Sequence, residues 1–217
     1  MTLGYRAVLL SVLAIGLATP GFAGDSSDPV VKTLAAPVDP GDQTVLIGRT
    51  PAGGMIIQLE IEPAKGMWMA SPASVQLVMD PAKGRWMAVT TPSMWSTHAV
   101  MKGELYHVEV KPIDPISKTR IPYAEVRFKA LNRDNGRRVE GALHPMWGGS
   151  GLHYAFNSKL AGDGVYEATV TVGVPTFARD LKESSRWMEP ISAKFHFRFA
   201  GGKITEVSEA TAEIASN

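Results

Sequence analysis

The chain contains no cysteine. Without thiols it gains no disulfide even in an oxidising compartment, so stability must come from a packed core. Any metal site must then be built from His, Met, Asp or Glu. Lys and Arg nowhere gather into a run, which argues against nucleic acid or an anionic membrane as the main partner. After the N-terminal region no stretch is apolar enough to span a bilayer. There is no Ser/His/Asp arrangement, no phosphate-cradling loop and no separated carboxylate pair of the kind hydrolysis requires. Helical periodicity is also missing beyond the N-terminal run.

What is present is a chain of 217 residues, 45% hydrophobic and 20% charged, enough for one globular domain with an extension. Arg6 precedes an apolar run over residues 7–18, and small residues follow at Gly21 and Ala23. These are the marks of a secretory signal peptide over residues 1–23, too short to span a membrane comfortably. Arg6 is the one charged residue among those 23, so its removal leaves 21 basic against 21 acidic residues. Residues 24–43, rich in Pro, Asp and Ser, read as a flexible leader.

Residues 44–217 read as a single domain. Alternation of apolar and polar residues predicts strands near 55–62, 105–111, 124–132, 165–172 and 193–199. Turn signals separate them: Gly53-Gly54, Gly162-Asp-Gly164, and Asn135-Gly136, whose pairing suits a type I′ hairpin turn. Short strands with turns between them imply an all-β fold, an immunoglobulin-like antiparallel β-sandwich. Around residues 64–103 an insertion carries a repeat. Glu62-Pro-Ala-Lys-Gly-Met-Trp-Met-Ala70 returns eighteen residues later as Asp80-Pro-Ala-Lys-Gly-Arg-Trp-Met-Ala88. Two copies are too few for a solenoid; they read as two similar hairpin turns, or as a Met/Trp surface for a soft metal or a partner.

Two stretches carry candidate chemistry. In Leu105-Tyr-His-Val-Glu-Val-Lys111, His107 and Glu109 share one strand face. They can share an ion, the carboxylate can orient the imidazole, or the face can simply be solvated. In Ala142-Leu-His-Pro-Met-Trp-Gly-Gly-Ser-Gly-Leu-His-Tyr-Ala-Phe-Asn157, His144 and Met146 point the same way, a glycine-rich turn follows, and His153 lies on the returning strand. Such a turn can bring thioether and imidazole around one ion, or be a hairpin with a buried Met and a surface His. His98 lies in the insertion. His196 alternates with Phe195 and Phe197, which places it on the wet face and away from a ligand role.

With these residues in view, the chain resembles the periplasmic iron-transport proteins of bacterial ferrous-iron uptake. The likeness runs from about residue 55 to residue 199. It rests on Tyr106-His-Val-Glu109, Ile121-Pro-Tyr123, His144-Pro-Met-Trp-Gly-Gly-Ser-Gly-Leu-His-Tyr154, Asn157, Gly162-Asp-Gly-Val-Tyr166 and Arg186-Trp187. The resemblance implies a periplasmic homodimer beside an inner-membrane iron permease, with no membrane insertion of the mature chain. It implies a copper site in each subunit at His107, Glu109, Met146 and His153, with iron as the transported ion. Relatives place a further histidine in the loop matching residues 175–186, where this chain has none, and His144 stands where a relative can carry methionine. The resemblance therefore leaves His98 or His144 to complete the set. Thioether favours Cu(I), imidazole serves both copper states, carboxylate favours harder ions, and zinc also fits such donors in vitro. The expected function is metal binding in support of iron uptake, without catalysis. The alternatives are a copper-dependent Fe(II) oxidase and a β-sandwich interaction module without a metal role. The signal peptide has a direct test: mass spectrometry of the mature protein from its producing cell should show a chain beginning near Gly24, and an intact Met1 would refute the reading.

Overall fold

The computed structural model describes residues 28–70, 73–80, 85–92 and 95–209, so the expected signal peptide lies outside the described residues. The strands are β1 (Val31–Val38), β2 (Val45–Ala52), β3 (Met55–Pro63), β4 (Met67–Ala70), β5 (Ala73–Asp80), β6 (Arg85–Pro92), β7 (Trp95–His98), β8 (Tyr106–Ile113), β9 (Val126–Asn132), β10 (Arg138–Gly148), β11 (Gly151–Ser158), β12 (Gly164–Val172), β13 (Ile191–Ala200) and β14 (Lys203–Ser208). A single 3-10 turn, Leu181–Glu183, is the one helical element among the described residues.

Alternation explains most of these elements. Phe195, Phe197 and Phe199 of β13 turn inward with Tyr166, Ala168 and Val170 of β12 and with Val126, Phe128 and Ala130 of β9. Facing them are Ile57, Leu59 and Ile61 of β3, Val108 and Val110 of β8, and Tyr154 of β11. The Tyr166 and Phe197 rings stack at 4.6 Å and 5°. Burying each such side chain contributes about 1.5–3 kcal/mol, and the two inner faces together form the core.

The large sheet has the order β1-β14-β13-β12-β9-β10-β11-β8-β3-β2, and every pairing is antiparallel. β10 joins its two halves. Residues 138–143 pair with β9, and residues 144–148 pair with β11. The sheet therefore folds over along β10 into two layers, and at the far side β2 meets β13 and β14, so the sandwich is nearly closed. The expected all-β sandwich is the observed fold.

Three local readings differ. The expected flexible leader contains β1, which pairs with β14 through Val31–Ser208, Lys32–Val207 and Thr33–Glu206. Composition missed it because β1 is an edge strand, mostly exposed, and needs no apolar alternation. The Asn135-Gly136 turn is not type I′, since of the two only Gly136 has positive φ (70°). Gly136 N–H instead donates to Asn132 O at 2.9 Å, a longer loop built on the buried Asn132 side chain. That side chain also donates to the carbonyls of Ala161, Gly162 and Asp163, and a Cβ at Gly164 would lie 2.3 Å from its oxygen, so glycine is required there. Finally, β4–β7 stand outside the large sheet, as β4–β7 and β5–β6 ladders. The insertion leaves after Pro63 and returns at Leu105, with Pro63 directly opposite Tyr106.

The loops at residues 114–119 and 175–190 are tied together by Arg186, which donates to Asp114 at 2.6 Å and lies 4.2 Å over the Trp187 ring. Trp187 in turn donates to Gly54 O at 3.1 Å. Burial raises the Asp114 carboxyl, but Arg186, Ser117 and the amides of Ile116 and Ser117 outweigh it and hold the group at about 2. A depressed carboxyl contributes stability above its unfolded value near 3.9, and that contribution is lost as the pH falls through the folded value. Asp114→Asn should therefore cost about 1–2 kcal/mol in urea unfolding at pH 7, and the gap from wild type should shrink toward zero near pH 2. A gap independent of pH would show that the ion pair is not its origin.

Candidate metal centre

The register of four strands builds the site. β8 places His107, Glu109 and Lys111 on the face away from the core. Opposite them on β11, Asn157 faces His107 and Ala155 faces Glu109. Opposite them on β3, Glu62 faces His107, Glu60 faces Glu109 and Gln58 faces Lys111. One strand beyond β11, Met146 of β10 lies directly across from His153. Cross-strand neighbours have Cβ atoms about 4.5–5.5 Å apart, so the Met146 thioether and the His153 ring share one patch.

A solvated strand face, the simplest expectation for β8, is excluded. His107 is 0% exposed, Glu109 2% and His153 2%. The donor atoms of these three residues lie within 4.8 Å of one another. The imidazole planes stand at 83° with centroids 6.2 Å apart.

Second contacts fix the chemistry of each ring. Asn157 Nδ2 donates to Lys65 O at 2.9 Å and to Glu104 Oε2 at 3.3 Å, which turns Asn157 Oδ1 toward His107. His107 Nδ1–H therefore donates to that oxygen at 2.8 Å. His153 Nδ1 lies 2.9 Å from Gly151 O, a carbonyl that can only accept, so it too carries the proton. Both rings are left with a bare Nε2 lone pair, and both Nε2 atoms are buried without a hydrogen-bond partner. Orphaned buried polar atoms are rare and costly. Here two of them belong to a cluster with one carboxylate, and Met146 lies across the ladder from His153, so the residues present fit a metal ion. Burial lowers the His107 pKa, opposed by the Asn157 hydrogen bond and by Glu62, so the ring is neutral at neutral pH and its lone pair is available. A side chain on Gly148 would crowd this arrangement, since a Cβ there would come within 3.1 Å of His153 Cε1.

Glu109 is the charged donor. Burial raises its pKa, but hydrogen bonds with Lys111 and Glu62 and the charge of Lys111 prevail and hold it well below the usual carboxylate range. Its Oε1 lies 2.6 Å from Lys111 Nζ, 3.0 Å from Ser150 Oγ, which donates to it, and 3.8 Å from His153 Nδ1.

The other three histidines do not join. His98 sits in β7 opposite Met67 and pairs with Glu104 at 3.7 Å. His144 is exposed, opposite Ala155. Parity puts it on the Met146 face, but it lies on the open side of that face. His196, set aside in the sequence, lies 3.4 Å from Glu206. The residues that sequence reasoning missed are Glu60, Glu62 and Ser150. The alternation of Gln58, Glu60 and Glu62 read as a wet face; only the register shows that this face meets His107 and Glu109.

Residues 116–201 match the family model described as Fe2+ transport protein. Over this segment the chain is similar to that family. The match takes in Met146 and His153 and begins after His107 and Glu109. Among solved structures, the chain is similar to FetP of uropathogenic E. coli strain F11, at 18% identity over 73% of this chain and 97% of that one, with a TM-score of 0.51. It is also similar to a copper-bound variant of Campylobacter jejuni P19, at 20% identity over 72% and 98%, with a TM-score of 0.50. A copper-bound variant of the same FetP aligns at 18% identity over 73% and 99%, with a TM-score of 0.50. At these identities the likeness establishes a shared fold. No curated protein matches the chain.

Asn157 offers a direct test of the tautomer argument. Asn157→Leu removes the acceptor of His107 Nδ1–H without touching a donor, and should weaken metal affinity about 10–100-fold in a competition titration. Unchanged affinity would mean that His107 Nε2 is not a ligand.

Proposed function

We propose that this protein is an exported metal carrier of iron uptake, holding one copper ion per chain through His107, His153 and Met146 with Glu109 beside them. The observation that carries this reading is the pair of buried, partnerless Nε2 atoms on two imidazoles clustered with one carboxylate, with Met146 across the ladder from His153. Imidazole serves both copper oxidation states and thioether favours Cu(I), so a bound copper can change state without losing its ligands. Glu109 supplies the harder oxygen that Fe(II) takes, with iron as the transported ion. The family of residues 116–201 supports iron as that ion, and the copper named for FetP and P19 supports copper as the resident metal.

The rest of the reading follows the same line. The N-terminal run argues for the periplasm, and the family for a homodimer working beside an inner-membrane iron permease. Among the described residues no helix is long and apolar enough to cross a membrane. We take the chain as a binding protein and not an oxidase, since one copper passes one electron and dioxygen reduction needs more.

Copper titration tests the site. Wild type should take one Cu(I) per chain, with His153→Ala and Met146→Ala each weakening it by more than tenfold and His98→Ala leaving it unchanged. Unchanged affinity in both His153→Ala and Met146→Ala would overturn the site. The role is tested by gene deletion, which should lower iron uptake and growth under iron limitation; wild-type uptake would overturn the role while leaving the site intact.

A further inference from the structure

Glu60 and Glu109 face each other across the β3–β8 ladder, on a face closed to solvent. Two directly opposed carboxylates repel, and burial strengthens the repulsion. Lys111, next on the same face of β8, folds back between them. Its ammonium contacts Glu60 Oε2 and lies 2.6 Å from Glu109 Oε1, with a side chain only 5% exposed. Gln58 Nε2 donates to Glu60 Oε1 while Lys111 Nζ donates to Glu60 Oε2, so the Glu60 carboxylate is held in place from both sides. Oxygens from a buried and a partly buried carboxylate converging on one point are the donor set of a hard divalent cation. In this chain that point holds an amino group.

We propose that Lys111 is a built-in cation that takes the place of a second metal ion beside the His107–Glu109–His153 cluster. It limits the chain to one ion where its carboxylates could take two. The inference rests on the metal-site reading above and adds a specificity role for a residue outside the proposed ligand set. Lys111 offsets half of the charge of the Glu60–Glu109 pair and occupies Glu109 Oε1. That leaves the soft, uncharged donors His107, His153 and Met146 to dominate the choice of ion. Removing the ammonium while keeping the side-chain length vacates the point between Glu60 and Glu109 and deepens the net negative charge there.

The test uses the full mature chain loaded with one equivalent of Cu(I), and Mn(II) as a hard probe that thioether does not hold. Bound Mn(II) is counted from the loss of the free-ion electron paramagnetic resonance signal. Lys111→Met should bind one Mn(II) per chain at least tenfold more tightly than wild type. Lys111→Arg, which keeps the charge, should behave as wild type, and Lys111→Met with Glu60→Gln should lose the gain. If the methionine variant folds poorly, Lys111→Gln carries the same readout, and Mn(II) should raise its melting temperature but not that of wild type. A copper-loaded, folded Lys111→Met or Lys111→Gln chain that binds Mn(II) no better than wild type overturns the role of Lys111 alone. A wild-type chain that takes no copper overturns the metal-site reading beneath it.

Discussion

The site depends on cross-strand register. His107 opposite Asn157, Glu60 opposite Glu109 and Met146 opposite His153 are pairings across three ladders that share no sequence neighbourhood. A slip of one residue in any ladder would send the chemistry into the apolar core and the apolar residues outward. The core prevents it. Val108 and Val110 alternate with His107 and Glu109, and Tyr154 with His153, so burying the apolar set fixes the polar set. Tyr154 locks β11 further by donating from its hydroxyl to Ile121 O at 3.0 Å and accepting from Ala124 N–H at 3.1 Å.

A sheet face that carries His107, Glu109, Lys111, Glu62 and Gln58 out of water would ordinarily weaken a fold, because each buried ion loses several kcal/mol of hydration. Most of that loss is offset by contacts. Lys111 bridges Glu60 and Glu109, Lys65 meets Glu62 at 2.5 Å, and Ser150 donates to Glu109. The two histidine Nε2 atoms are left out of this compensation. The contrast between a saturated carboxylate network and two bare nitrogens beside it is what distinguishes a ligand site from a structural ion cluster.

Much of this was legible in the sequence because it is local. The alternation of Phe195, Phe197 and Phe199 gave β13, and the spacing of His107 and Glu109 placed both on one face. The resemblance joined them to Met146 and His153, which the folded register brings together. What was not legible is what register and edges decide. The β1 strand lacks apolar alternation because both its faces are largely wet. Glu60 and Glu62 looked solvated because nothing in residues 55–62 says that β8 lies alongside. His98 and His144 were reasonable completing donors by residue type, and only position separates them: one is held by Glu104 and the other faces water.

In the proposed site two imidazoles and one thioether hold a single ion beside Glu109. X-ray absorption at the copper edge of the Cu(I)-loaded protein tests it most directly. The expected spectrum has two nitrogen scatterers near 2 Å with the outer-shell pattern of imidazole, together with one sulfur near 2.3 Å that disappears in Met146→Ala. A first shell of nitrogen and oxygen only, the same in wild type and Met146→Ala, would contradict it.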